Sequence, residues 1–160
     1  MKINIGCGTD IRKDFLNVDI RNLPGTDVTC DAIDLRNFIK NEEAEFIVAQ
    51  HLLEYIPRDQ LLIALEEWTR ILKPSGILEI RVTDIKEVTK ALYLNTISKE
   101  MGLHHEMVLS LLYGKRAHQY DVKYNGFTSE FLQGILVGQG FEIISTAIEN
   151  YDIILTTKKK

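Results

Sequence analysis

The end of the chain constrains its fold most. After Gly140 come two β-rich runs, Phe141 to Ile148 and Tyr151 to Thr157, joined by only Glu149-Asn150. Two strands linked so tightly can pair only as an antiparallel hairpin. Ahead of them, short apolar runs alternate with helical patterns, which is the signature of an α/β domain built on a mostly parallel sheet. The expected strands are Ile3 to Ile5, Phe15 to Asp19, Asp27 to Cys30, Phe46 to Gln50 and Ile77 to Val82, from their β-branched content and flanking turn residues. A parallel sheet that closes on a helix and then a hairpin departs from the usual ending of dinucleotide-binding dehydrogenases.

Helical spacing is clearest from Asp59 to Leu72, where Leu61, Leu65, Trp68 and Leu72 share a stripe and Glu66, Glu67 and Arg70 face elsewhere. Trp68 therefore reads as core. Pro74 ends the pattern, and Lys73-Pro74-Ser75-Gly76 forms a turn into the strand at Ile77. A second helix is expected over Ile85 to Met101, with Ile85, Val88, Leu92 and Thr96 on one side, and a third over Glu106 to Tyr113, the two separated by Gly102. A last helix starts after Thr128 as N-cap, with Glu130 in its first turn, and stops at Gly138 to Gly140.

The 160 residues suffice for one domain with one core, spanning 1–160, and no apolar run is long enough to cross a bilayer. Met1 leads directly into the first strand without a signal-peptide pattern, so a cytoplasmic protein that does not engage a membrane is expected. Cys7 and Cys30 read as reduced thiols, and the adjacent His104-His105 pair lacks the spacing of a metal site. A net charge of -4 disfavours nucleic acid, and Lys158-Lys159-Lys160 reads as a solvated tail.

The first strand runs into Gly6-Cys7-Gly8, where glycine lets the backbone turn sharply and approach a ligand. Ile11 stands where a dinucleotide fingerprint would have its third glycine. Asp19 ends the next strand, placed to accept both hydroxyl hydrogens of a ribose, and Asp31-Ala32 follows the third, suited to an adenine edge.

With these residues the chain resembles the class I S-adenosylmethionine-dependent methyltransferases of the small bacterial and phage type. The resemblance is carried by Asn4-Ile5-Gly6-Cys7-Gly8, Phe15 to Ile20, Asp31 to Leu35, Gln50 to Ile56 and Glu67 to Gly76. It implies a three-layer α/β/α Rossmann-like fold with seven strands in the order 3-2-1-4-5-7-6, the last antiparallel. It also implies S-adenosylmethionine as cofactor, held by Asn4, Gly6, Cys7, Gly8, Asp19, Ile20, Asp31, Ala32 and Gln50. Asn4 replaces the acid that commonly opens the glycine motif, which makes that contact neutral. Only ten residues separate Gly8 from Asp19, too few for a full crossover helix, so the first helix should be a single turn or absent.

Methyl transfer asks the protein chiefly to align donor and acceptor and to exclude water. If the acceptor needs a base, His51 at the fourth strand end is the candidate catalytic residue; Glu54 reads as an anchor. The polar, aromatic segment Tyr113 to Phe127 is expected over a small-molecule or glycan-type acceptor, through Arg116, His118, Tyr120 and Lys123. With no N-terminal cap ahead of the first strand, a second subunit could cover the site as a homodimer. Two rival readings are a non-catalytic cofactor- or partner-binding module on the same fold, and a nucleotide-dependent oxidoreductase.

Overall fold

Seven strands form one sheet in the order β3-β2-β1-β4-β5-β7-β6 in the computed structural model, which describes residues 1–94 and 105–160. They are β1 (Lys2–Ile5), β2 (Leu16–Asp19), β3 (Val28–Thr29), β4 (Ala44–Gln50), β5 (Leu72–Thr83), β6 (Phe141–Glu149) and β7 (Asp152–Lys159). β1 to β5 run parallel, while β7 lies antiparallel to both β5 and β6. The helices are α1 (Leu61–Ile71), α2 (Ile85–Tyr93), α3 (His105–Tyr113) and α4 (Ser129–Gly138), with a 3-10 turn at Leu53–Tyr55. Among the described residues, no helix is long and apolar enough to cross a membrane.

Strand alternation sorts the sheet into two unlike faces. Ile3, Ile5, Val18, Ile47, Ala49, Leu78, Ile80, Val82, Ile153 and Leu155 point to one side and form a single core with Leu61, Leu65, Trp68, Leu132 and Leu136 of α1 and α4 and with Leu35 and Ile39 of the β3–β4 connection. On the other face the covering layer is thinned to the loop between β1 and β2, where Phe15 packs edge-on to Phe46 with ring centroids 6.0 Å apart. The β1–β2 and β2–β3 links are too short to carry a helix over this part of the sheet.

Polar side chains take the place of that helix. The Asn17 amide accepts from Arg12 N at 2.9 Å and Asn4 Nδ2 at 3.1 Å, and donates to Arg12 O, Phe15 O and Asp27 Oδ2. This buried network fixes the short crossover.

The structure shifts several boundaries read from the sequence. Glu149 pairs with Asp152, so the hairpin link is Asn150-Tyr151, one residue later than expected, and both take positive φ, 49° and 69°, in the twist-matched turn geometry. The Lys73-Pro74-Ser75-Gly76 turn lies inside β5 as a bulge: Ala44 pairs with Leu72 and Phe46 with Ile77, and Ser75 takes φ 63°. Lys158 and Lys159 belong to β7, not to a tail, and Lys159 Nζ donates to Thr69 O at 2.9 Å and Leu72 O at 2.7 Å, closing carbonyls at the end of α1.

Glu67, expected to face away from the stripe, is buried because its carboxylate accepts from Leu35 N at 2.8 Å and from Arg70 Nη2 at 2.6 Å. α2 ends at Tyr93; Leu92 is exposed, and Ala91 joins Val88 against Val108 of α3. The expected continuation to Met101, with Thr96 and Gly102, lies outside the described residues, as do His104 and the side chain of His105. Thr128 caps α4 as expected, its hydroxyl accepting from Phe131 N at 3.3 Å.

Candidate functional site

A cleft of about 880 Å³ opens across the carboxyl ends of the strands, at the point where β1 and β4 send the chain in opposite directions. Its volume is that of a site for a cofactor with a small co-substrate. Gly6, Cys7, Gly8, Asp19, Ile20, Asp31, Ala32 and Gln50 all line it. Gly6 has φ 68°, a conformation that favours glycine, and a Cβ there would also meet Leu52 Cδ1 at 2.8 Å and push that side chain aside.

Asn4 is the exception among the expected cofactor residues. It points to the opposite face of the sheet, where its amide donates to Asp10 O at 2.6 Å, and it does not line the cleft. Strand parity explains this: Asn4 lies between Ile3 and Ile5, which face the core.

Asp19 sits at the centre of the cofactor half. Oδ2 accepts from Gly8 N at 2.7 Å, and Oδ1 accepts from Arg21 N at 2.9 Å and Arg21 Nε at 3.2 Å. A carboxylate offers about four acceptor positions, so one stays open to a ribose hydroxyl, and the partly exposed Arg21 arm can release a second. Ala32 is held from behind, because Trp68 Nε1 donates to its carbonyl at 2.9 Å. The core tryptophan thus also braces the corner expected to face adenine. The glycine cradle, the open Asp19 position and the braced Asp31-Ala32 corner fit S-adenosylmethionine.

At the other end of the cleft an alternating row of charges joins β4, β5 and β7. Arg81 Nε donates to Asp152 Oδ2 at 2.8 Å, and His51 Nε2 lies 3.4 Å from the same oxygen. His51 Nδ1 stands 3.5 Å from Glu54 Oε1, which also accepts from Thr83 N at 2.9 Å and faces Lys123 Nζ at 3.5 Å. The hydrogen bonds to Asp152 and Glu54 outweigh burial and raise the His51 pKa to about 9. Burial pushes Glu54 and Asp152 upward, but His51 with Lys123, and His51 with Arg81, hold each below its ordinary value. The shift favours the imidazolium, and both ring nitrogens face carboxylates. This arrangement suits a fixed cation.

Glu54 does anchor, and more than a helix: it is 1% exposed, and its backbone oxygen accepts from Tyr124 N at 2.7 Å and Asn125 N at 3.1 Å. Of the four expected acceptor residues, His118 and Tyr120 line the cleft. Arg116 stands on the same loop outside the lining, with φ 57°. Lys123 is turned inward, its side chain 6% exposed, with Nζ bound to Thr83 Oγ1 and Leu111 O, both at 2.9 Å. Sequence reasoning missed Tyr55, Lys115, Asp121 and Tyr124, which also line this end. Asp121 had a signal, being the one acid in the basic and aromatic segment 113–127. Burial and the negative charges of Asp121 and Glu54 push the Tyr55 phenol up to about 12, so it stays protonated.

A mixed sheet of this order, with a glycine turn and two acids at its carboxyl edge, defines the Rossmann-like methyltransferase class of α/β domains. The methyltransferase domain family matches residues 4–80, just under half of the chain. No curated protein sequence matches. Among solved structures, a possible histamine N-methyltransferase from Thermotoga maritima is 19% identical with a TM-score of 0.66, over 99% of this chain and 82% of that one. A 1,6-didemethyltoxoflavin-N1-methyltransferase from Burkholderia thailandensis, with 1,6-didemethyltoxoflavin and S-adenosylhomocysteine bound, is 14% identical at a TM-score of 0.65, over 99% and 70%. A possible exported protein from Bordetella parapertussis is 14% identical at 0.67; the chain is covered to 99% and spans 61% of that protein's length. These likenesses show the fold of the Rossmann-like methyltransferases, and residues 4–80 carry the match to the methyltransferase domain family.

Proposed function

We propose that the protein transfers the methyl group of S-adenosylmethionine to a small-molecule or glycan-type acceptor. The observation that carries this is the continuity of the cleft, which passes from the glycine turn, Asp19 and Asp31 to a polar, aromatic end formed by Gln50, His51, Tyr55, His118 and Tyr120. The cofactor supplies a methyl group already activated on a sulfonium. The chain aligns and encloses. Asp19 and Asp31-Ala32 hold the nucleoside, Gly6 and Gly8 let it lie against the backbone, and the 113–125 segment shields the acceptor end from water. His51, fixed between Glu54 and Asp152, orients the floor of that end instead of taking a proton.

Isothermal titration with S-adenosylhomocysteine tests the cofactor half. The unchanged chain should bind, and Asp19→Ala should bind about 30-fold more weakly, since hydrogen bonds to a charged acceptor contribute about 1.5–3 kcal/mol. Absence of binding by the unchanged chain sinks the proposal. Binding without release of S-adenosylhomocysteine across a broad acceptor panel would favour the non-catalytic module.

A further inference from the structure

The wall over the acceptor end uses its charges unequally. Asp121, 7% exposed, gives its carboxylate to the wall's own backbone: Oδ1 accepts from Lys115 N at 3.2 Å and Oδ2 from Ala117 N at 3.0 Å. Arg116 N to Asp121 O at 3.2 Å and Asp121 N to His118 O at 3.0 Å complete a tight loop. Lys123 is committed inward to Glu54, Thr83 and Leu111. Two cations remain on the exposed surface of this loop, Lys115 and Arg116, and among the described residues neither side chain forms an ion pair.

Such a pair puts two positive charges on this wall in a protein of net charge -4. Unpaired cations at a cleft mouth focus field lines and raise the local concentration of anions. Lys115 lines the cleft, as do Tyr120 and Tyr124, residues 42% and 51% exposed that can supply flat apolar faces. A guanidinium on the rim adds a fork that matches an oxyanion.

We propose that the acceptor is an oxyanion-bearing small molecule or sugar, its carboxylate or phosphate held by Lys115 and Arg116 and its ring packed against Tyr120 and Tyr124. This rests on the methyltransferase reading. It narrows the acceptor class and gives the two cations a role separate from the cofactor.

The test compares matched pairs on the protein loaded with S-adenosylhomocysteine: 4-hydroxybenzoate against 4-hydroxybenzamide, and glucose 6-phosphate against glucose, with dissociation constants from NMR titration. In at least one pair the anion should bind about tenfold more tightly, and the advantage should shrink with added salt. The double variant Lys115→Gln, Arg116→Gln should abolish the preference and keep the S-adenosylhomocysteine affinity within about twofold. No preference in either pair, or a preference that survives the double substitution, overturns the proposal. So does a large loss of S-adenosylhomocysteine affinity in the variant, which would assign these charges to the cofactor's own carboxylate. Failure of the unchanged chain to bind S-adenosylhomocysteine is a different result, and it overturns the methyltransferase reading together with the proposal.

Discussion

His51 stands between Glu54 and Asp152, and this sets the charge at the acceptor end of the cleft. Folded, the ring keeps its proton up to about pH 9; unfolded, it releases it near 6.5. Between those values the folded state binds more protons, so the stabilisation is fully present below about pH 6.5 and is lost as pH rises toward 9. The ring is 42% exposed, so solvent screening reduces the loss to on the order of 1 kcal/mol. That corresponds to a melting temperature lower by about 2–4 °C at pH 9.5 than at pH 6.5. His51→Asn, which tolerates the positive φ of 47°, should lack this component in thermal scans across the same range. An equal drop in both proteins would refute the assigned charge. Gly6, Gly8, Asp19 and Asp31 were legible from the sequence because each sits at a strand end, where local pattern decides position. The charge of His51 and the burial of Lys123 were not, because both depend on partners far along the chain, Asp152 for the first and Glu54 and Thr83 for the second.

Among the elements, the β1–β2 crossover departs furthest from the α/β pattern, and its physical cause was readable: ten residues between Gly8 and Asp19 leave no room for a helix. What replaces the helix was not readable. Asn17 gives no periodic signal, yet its amide makes five hydrogen bonds that knit Asn4, Arg12, Phe15 and Asp27 together. Asn17→Leu keeps the branch at Cγ and removes both donors and acceptor, leaving the Arg12 N–H and the Asn4 amide without that partner in a buried place. Each such group costs about 1–3 kcal/mol, so urea denaturation should show a loss of about 3 kcal/mol in total. A loss below about 1 kcal/mol would mean that the loop over this face holds itself without Asn17. The α2 boundary shows the opposite limit. Its apolar spacing continued past Tyr93, but which positions pack is decided by α3, and Val88 with Ala91 takes the contact that periodicity had assigned to Leu92.

For the molecule as a whole, the strand order was legible only through the family resemblance, with which the terminal hairpin, read from the residues alone, agreed. The uneven faces of the sheet followed only in part: the missing first helix was foreseen, the one-sided core was not. That core has a consequence for ligand binding. The cleft takes its lining from the ends of β1, β2, β3 and β4 and from the 115–124 wall, so a ligand there bridges strands already joined by the sheet, the core and the Asn17 network. Occupancy should therefore report on global unfolding and not on a local loop. A ligand that binds only the folded state at 100 times its dissociation constant stabilises it by about 2.7 kcal/mol, and for a chain of this size each kcal/mol moves the midpoint by about 2–4 °C. Saturating S-adenosylhomocysteine should raise the melting temperature by about 5–11 °C, as one cooperative transition followed by both far-ultraviolet circular dichroism and Trp68 fluorescence. Trp68 is buried against the single core and bonded to Ala32 at the cleft edge, so it senses both events. Asp19→Ala, binding about 30-fold more weakly, should shift by only about 2–3 °C at the same ligand concentration. Two separated transitions, with only the fluorescence responding to ligand, would show that the cleft unfolds apart from the sheet and would overturn this coupling.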